Sequence, residues 1–463
     1  MTSAKRPGAV RLAALISGAT LLFASGALAQ DDEGEPLTPP QQEGADQSAD
    51  PAEAMAVESD AAPPPSSPSP AAASEPVYDG AQDVEDDSEP AVVEPPPAVQ
   101  AEPPEGGGGV SIFAFADAYY SFNTSSPVPG PGDHAHFPTH RAYDAYNGFN
   151  MSFFGADITY DGGQIGATAS FRLGSGYPIF FGDESGSGES SRFYPLTQAY
   201  LTWSPTEELT LDFGQFGTIF GAEVAESWQN LNYTRGALYY AMQPFWHTGL
   251  RASYQASERV GFNAMVVNGT NQPFVPENNR PAVAAQVTFA PFDGLDLAFG
   301  YLHQIDPMNS ELYPGGGRAG FDRFFDFVAV FQAGDFTMIG NFDYNIVEPD
   351  EGSDADSTSF WGASLALGYA VTEMFGVAVR GEYLKDVDAG VWASTDPDAL
   401  DQVAEGNSLV TGTVTLEVKP VENLILRWDN RIEKSEQDIF YDRASEATDI
   451  WFNSVLGVVV KSE

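Results

Sequence analysis

Few residues of this 463-residue chain have the types and spacing that chemistry needs. There is no cysteine, so thiol nucleophiles, thiolate metal sites and disulfides are all unavailable. Three of the five histidines, His134, His136 and His140, crowd into GDHAHFPTH beside Asp133, a spacing at which imidazoles could hold a metal ion. No fourth ligand and no group to orient the rings stands near them, so a solvated loop is the plainer reading. The other two, His247 and His303, stand alone, and no serine has a histidine base beside it in a usual motif. EPDEGSDADS at 348–357 carries five carboxylates but lacks the spacing and closing glutamate of an EF-hand loop. EGGGGV at 105–110 has neither the lysine nor the following helix of a phosphate cradle. The chain therefore reads as a non-enzyme without a cofactor.

A second set of charges is more suggestive. Residues 211–240 read LDFGQFGTIFGAEVAESWQNLNYTRGALYY. Leu211 and Phe213 alternate with Asp212 and Gly214 as in a strand, and then all periodicity is lost until His247. Inside this aperiodic stretch lie Glu223, Glu226 and Arg235 among Phe216, Phe220, Trp228, Leu231 and Tyr233. Five further arginines, Arg172, Arg251, Arg380, Arg427 and Arg431, sit on the polar side of alternating segments elsewhere. Glutamates and arginines opposed across a narrow wet space would set a transverse field that filters solutes by size and charge. The same charges could instead pair merely to fasten the stretch.

The elements that position them follow from period-2 runs bounded by Gly, Pro, Asn, Asp and Ser. Alternation predicts sixteen strands. The first eight fall at 110–122, 148–160, 164–174, 194–204, 208–216, 246–255, 259–268 and 281–290. The second eight fall at 295–304, 323–332, 335–345, 358–370, 373–385, 407–419, 422–433 and 448–460. Connections alternate without exception between tight turns, such as DGG at 161–163 and VT at 371–372, and long loops, such as 123–147 and 217–245. Tight turns at one end and long loops at the other are the pattern of a transmembrane antiparallel β-barrel.

The two sides of each strand agree with that pattern. Leu424, Leu426 and Trp428 oppose Arg427, Asp429, Arg431 and Glu433, while Val377, Val379 and Tyr383 oppose Arg380 and Glu382. A greasy side suits lipid and a charged side suits a wet lumen. Soluble β-sandwiches also alternate, but their turn lengths have no reason to do so around a whole chain. Sixteen strands enclose more space than side chains fill, so a channel is expected unless something plugs it. The aperiodic stretch near 217–245 is the third long loop, and folding inward would shelter its aromatic groups and narrow the pore.

What precedes the barrel is different material. Residues 1–29 have a basic start, an apolar middle and Ala27-Leu28-Ala29, as a secretory signal peptide does. Residues 30–109 form a disordered acidic, Pro-rich linker, with 20 Asp and Glu and no Lys or Arg between Asp31 and Gly109. An even strand count with both termini on the short-turn side places it in the periplasm, where residues 31–109 could touch a periplasmic partner or the cell wall. A net charge of −46 excludes a basic nucleic-acid face and points to cation preference in any pore.

The run LTQAYLTWSPTEELTLDFGQFGTIFGAEVAESWQNLNYTRG, followed by PFWHTGLRASY and VVNGTN, resembles the OmpL-like β-barrel porin family of Gram-negative outer membranes. The resemblance covers most of 110–463. It is strongest in Asp212-Phe213-Gly214, Gly221-Ala222-Glu223, Glu226, Asn232-Tyr233, Arg235 and His247-Thr248-Gly249. It implies an outer-membrane porin, set in outer-membrane lipid and passing small hydrophilic solutes, with no catalytic residue and no defined substrate. One departure is that the chain ends VVVKSE rather than on an aromatic residue. Sixteen-stranded porins suggest a homotrimer by architectural analogy. The alternative function is a non-conducting barrel that serves as a surface scaffold or adhesin.

Overall fold

The computed structural model describes residues 108–124, 147–181, 194–273, 281–304, 323–347, 358–386, 407–438, 440–441 and 447–462. The signal peptide, almost all of the linker, His134, His136, His140 and the acidic segment 348–357 lie outside the described residues.

Strands form where alternation of aromatic and β-branched residues with small or polar ones fits a pleated surface. In chain order the first are β1 (Gly109–Asn123), β2 (Gly148–Asp161), β3 (Ile165–Leu173), β4 (Leu196–Trp203), β5 (Leu209–Gly217) and β6 (Trp246–Ser257). Next come β7 (Val260–Val267), β8 (Ala282–Phe292), β9 (Leu295–His303), β10 (Arg323–Ala333) and β11 (Phe336–Val347). The last long ones are β12 (Thr358–Ala370), β13 (Phe375–Asp386), β14 (Ser408–Val421), β15 (Leu424–Ser435) and β18 (Ile450–Lys461). Every boundary lies within two residues of the alternation-based expectation. A separate two-stranded ladder joins β16 (Phe440–Tyr441) to β17 (Ala447–Thr448), and the alternation did not foretell it.

Each long strand pairs antiparallel with its neighbours, and β1 pairs with β18 from Phe115↔Lys461 to Asn123↔Asn453, so the sheet closes on itself. Closure removes every sheet edge, which is the condition for a backbone to sit in hydrocarbon. No helix among the described residues is long and apolar enough to cross a membrane.

Side chains divide by parity. Leu201, Phe213, Phe299, Val414 and Leu456 point outward and are exposed. The outer surface carries aromatic pairs from strand to strand, including Phe299–Phe327 at 4.6 Å, Tyr301–Phe325 at 4.9 Å and Trp361–Tyr383 at 5.4 Å between ring centres. The opposite parity holds Asp117, Arg172, Asp326, Arg380, Asp429 and Arg431, all buried. Charged side chains inside a wide barrel can be buried only if something covers them, and the cover is the third long loop.

Candidate functional site: a loop fastened inside the barrel

Residues 218–245 leave the end of β5 and return at the start of β6. Their neck is closed by a hydrogen bond from the Thr218 amide to the Phe245 carbonyl, 3.1 Å. The aperiodic sequence does not give a featureless coil. It contains one 3₁₀ turn at Ser227–Gln229 and a short helix, α2 (Ala237–Met242). Its apolar groups reach three parts of the wall. Phe220 packs with Phe216, Met265, Leu302 and Phe324. Leu238 and Met242 of α2 pack with Phe360, Leu384, Leu409 and Trp451. Ala225, Tyr233 and Tyr239 pack with Phe115, Tyr119, Phe153 and Val455. Each large apolar side chain so buried contributes roughly 1.5–3 kcal/mol toward holding the loop. At one point the fit requires glycine: a Cβ on Gly457 of β18 would lie 2.1 Å from the Tyr233 ring.

A second element packs against the loop. The helix α1 (Tyr177–Phe180), in the connection after β3, places the Phe180 ring 5.9 Å from Tyr239 and 5.5 Å from Phe245. The Arg235 guanidinium lies over the same ring at 5.4 Å.

The charges lock this packing in place. Glu226 contacts Arg172 at 2.7 Å, and Arg172 also holds Asp157 at 2.9 Å. Glu223 contacts Arg380 at 2.5 Å and accepts the Gly236 amide at 2.7 Å. Arg427 donates to the carbonyls of Ser227 and Asn230 at 2.6 and 2.8 Å and pairs with Glu417 at 2.7 Å. Arg431 donates to the Arg235 carbonyl at 2.7 Å and pairs with Glu433 at 2.7 Å. Arg235 turns back on its own loop, donating to the carbonyls of Val224 at 3.2 Å and Tyr233 at 3.1 Å. Arg251 does not meet the loop glutamates. It pairs with Asp212 on the adjacent strand at 2.8 Å and covers the Phe216 ring at 4.6 Å. The glutamate–arginine pairs are thus in contact rather than opposed across a gap.

Several partners carry no mark in the loop's own sequence. Asp429 accepts the Thr234 amide and hydroxyl at 2.6 and 2.8 Å. Glu382 accepts the first amides of α2, from Ala237 and Leu238, at 3.1 Å each. Asp117 accepts the Ser227 hydroxyl at 2.6 Å and also the Tyr233 hydroxyl. Lumen-side parity within each strand was the one available signal for all three. Burial pushes the Glu223 carboxyl above its usual range despite Arg380, and Glu382 nearby adds repulsion. Between loop and wall a cavity of about 20 Å³ remains, lined by Glu223, Asn232, Gln243, Asn341 and Arg380, which is room for about one water.

A family model described as "Putative beta-barrel porin-2, OmpL-like" matches residues 109–460. Among solved structures, the outer-membrane-expressed OmpT of Vibrio cholerae is 11% identical, with 77% of this chain and 99% of that chain covered at a TM-score of 0.50. The outer membrane channel DcaP of Acinetobacter baumannii is also 11% identical, over 77% and 98%, at 0.48. An anion-selective porin from Comamonas acidovorans is 9% identical, over 77% and 100%, at 0.47. At such identities the OmpT match speaks to the barrel fold alone. No curated protein matches the chain significantly.

Proposed function

From a chain that belongs to the OmpL-like β-barrel porin-2 family of outer-membrane barrels, we propose a porin through which small hydrophilic solutes diffuse passively, constricted by residues 217–245. One observation carries the reading: a loop lies inside a closed barrel and is tied to well-separated strands, to Arg172 on β3 and to Arg380 on β13. A loop so placed sets how much of the lumen stays open. Cations are the favoured ions in this reading. Eight carboxylates against five guanidiniums are buried inside the barrel, and the whole chain carries −46. The signal peptide at 1–29, the periplasmic linker with its cell-wall or partner contact, and a homotrimeric assembly belong to the same proposal.

Planar-bilayer recording of the purified full chain tests it. Resolved current steps with a cation-favouring reversal potential in a salt gradient are expected. An anion-favouring potential refutes the selectivity.

The second reading, a non-conducting barrel, is favoured by the apolar packing of the loop on three parts of the wall, capped by Phe180. A membrane silent at every voltage supports that reading against the first.

A further inference from the structure

On the wall that faces Ala222 and Gln243 of the loop, two carboxylates stand side by side. Asp326 on β10 and Asp343 on β11 are direct register partners on the lumen side, 3% and 0% exposed. Their carboxyl groups lie within hydrogen-bonding reach of each other. Among the described residues no lysine or arginine pairs with either. Like charges directly opposite on a sheet destabilise it, and buried charges without a counterion are costly. The pair needs positive charge that no described side chain supplies.

What surrounds the pair is amide and oxygen. The Asn341 Nδ2 donates to Asp326 Oδ1 and to Asp343 Oδ1, 3.0 Å each. Gln243 Nε2 donates to Asp343 Oδ2 at 3.2 Å, yet Gln243 Oε1 has no partner although the residue is only 4% exposed. Asp326 Oδ2 is likewise unpartnered, as is Oδ1 of Asn345, two residues along the same side of β11 from Asp343.

We infer that Asp326, Asp343 and Gln243 bind a hard divalent cation of the Ca²⁺ class through their oxygens, and that this cation pins the loop near Ala222 and Gln243 to β10 and β11. An all-oxygen donor set with two carboxylates suits Ca²⁺. Mg²⁺ demands stricter octahedral geometry and gives up its water reluctantly, so it should bind more weakly. The site joins both ends of the loop. Asn341 Oδ1 accepts the Ala222 amide at 3.0 Å from one end and the Gln243 side-chain amide from the other. Gly221, at φ +81°, leaves room for this: a Cβ there would lie 2.0 Å from Gln243 Oε1.

The test is calorimetry on the full-length protein in detergent, stripped with EDTA and titrated with Ca²⁺ alone and then Mg²⁺ alone. The wild type is expected to show one saturable Ca²⁺ site per chain, with Mg²⁺ at least about tenfold weaker. D326N/D343N is expected to lose that site while any weak binding by other acidic segments persists. Asparagines keep the shape of the pair; D326N also keeps the bond from Asn341, whereas D343N can accept only one of the two that Asp343 takes from Asn341 and Gln243, so D326N made singly serves if the double variant does not fold. Ca²⁺ binding identical in wild type and variant overturns the inference. So does a wild type that binds no Ca²⁺ and is stabilised instead by acidification that D326N abolishes, because a shared proton then neutralises the pair.

Discussion

Arg172 on β3 holds the carboxylate of Glu226 at 2.7 Å, 54 residues further along the chain, so a wall strand reaches into the barrel and fixes the loop that crosses it. The same guanidinium lies 4.9 Å from the centre of the Phe115 ring and keeps Asp157 as a second partner. The pair therefore sits where packing, charge and chain topology meet. Its removal is the simplest way to ask what the loop does.

Glu226→Gln should loosen the loop without emptying Arg172, which retains Asp157. A hydrogen bond to a charged group is worth about 1.5–3 kcal/mol, and unfolding in denaturant should show a loss of that order. Single-channel current should rise. A variant with unchanged stability and unchanged current would mean that the pair fastens nothing.

Tyr233 and Gly457 supply a double-mutant cycle. Gly457→Ala places a methyl where the Tyr233 ring lies, so it should dislodge the loop from β18 and lower stability. Tyr233→Ala loses burial, typically about 3–5 kcal/mol for a large aromatic. Once Tyr233 is alanine, adding Gly457→Ala should cost far less than it does in the wild type. Strictly additive effects in denaturant unfolding would contradict the contact.

Glu223 gives the loop a pH dependence of definite sign. Burial raises its pKa above the ordinary 4.5, so the folded barrel binds this proton more tightly than the unfolded chain does. Its stabilising contribution is fully present below pH 4.5 and is lost as pH rises through the raised value. Thermal unfolding followed from pH 4.5 to neutrality should therefore fall more steeply in wild type than in Glu223→Gln. Parallel profiles would contradict this.

Val414 lies near the middle of β14 and is exposed on the outer surface. Val414→Arg should cost about 2–4 kcal/mol for refolding into lipid vesicles, as an arginine does at the bilayer midplane. A neutral outcome would place β14 outside hydrocarbon.

Much of the fold was legible in the sequence because its rules are local. Alternation fixed strand ends to within two residues, since a barrel strand in lipid must keep one side apolar along its whole length. Leu424, Leu426 and Trp428 against Arg427, Asp429 and Arg431 is that rule in one strand. The aromatic residues and missing period of 218–245 marked apolar groups in need of shelter, and those groups pack against the wall. Its anchors were legible only as types. Arg172, Arg380, Arg427 and Arg431 do meet the loop, but which group each meets depends on barrel curvature and register. Arg251 could not be told apart from them, because its partner Asp212 is the cross-strand neighbour of any lumen arginine in that register. Asp117, Glu382, Asp429 and the Asp326–Asp343 pair were invisible as a site, because they meet the loop across separations of 100 to 195 residues. Helix α1 escaped notice because four residues are too few to show a period.

In the proposed porin, residues 218–245 govern passage through the barrel. The most direct measurement compares single-channel conductance of the full chain with that of a variant whose residues 220–243 are replaced by a short Gly-Ser bridge across the neck. Larger current steps and weaker ion selectivity are expected in the bridged barrel. Equal conductance and equal selectivity in the two proteins would contradict it.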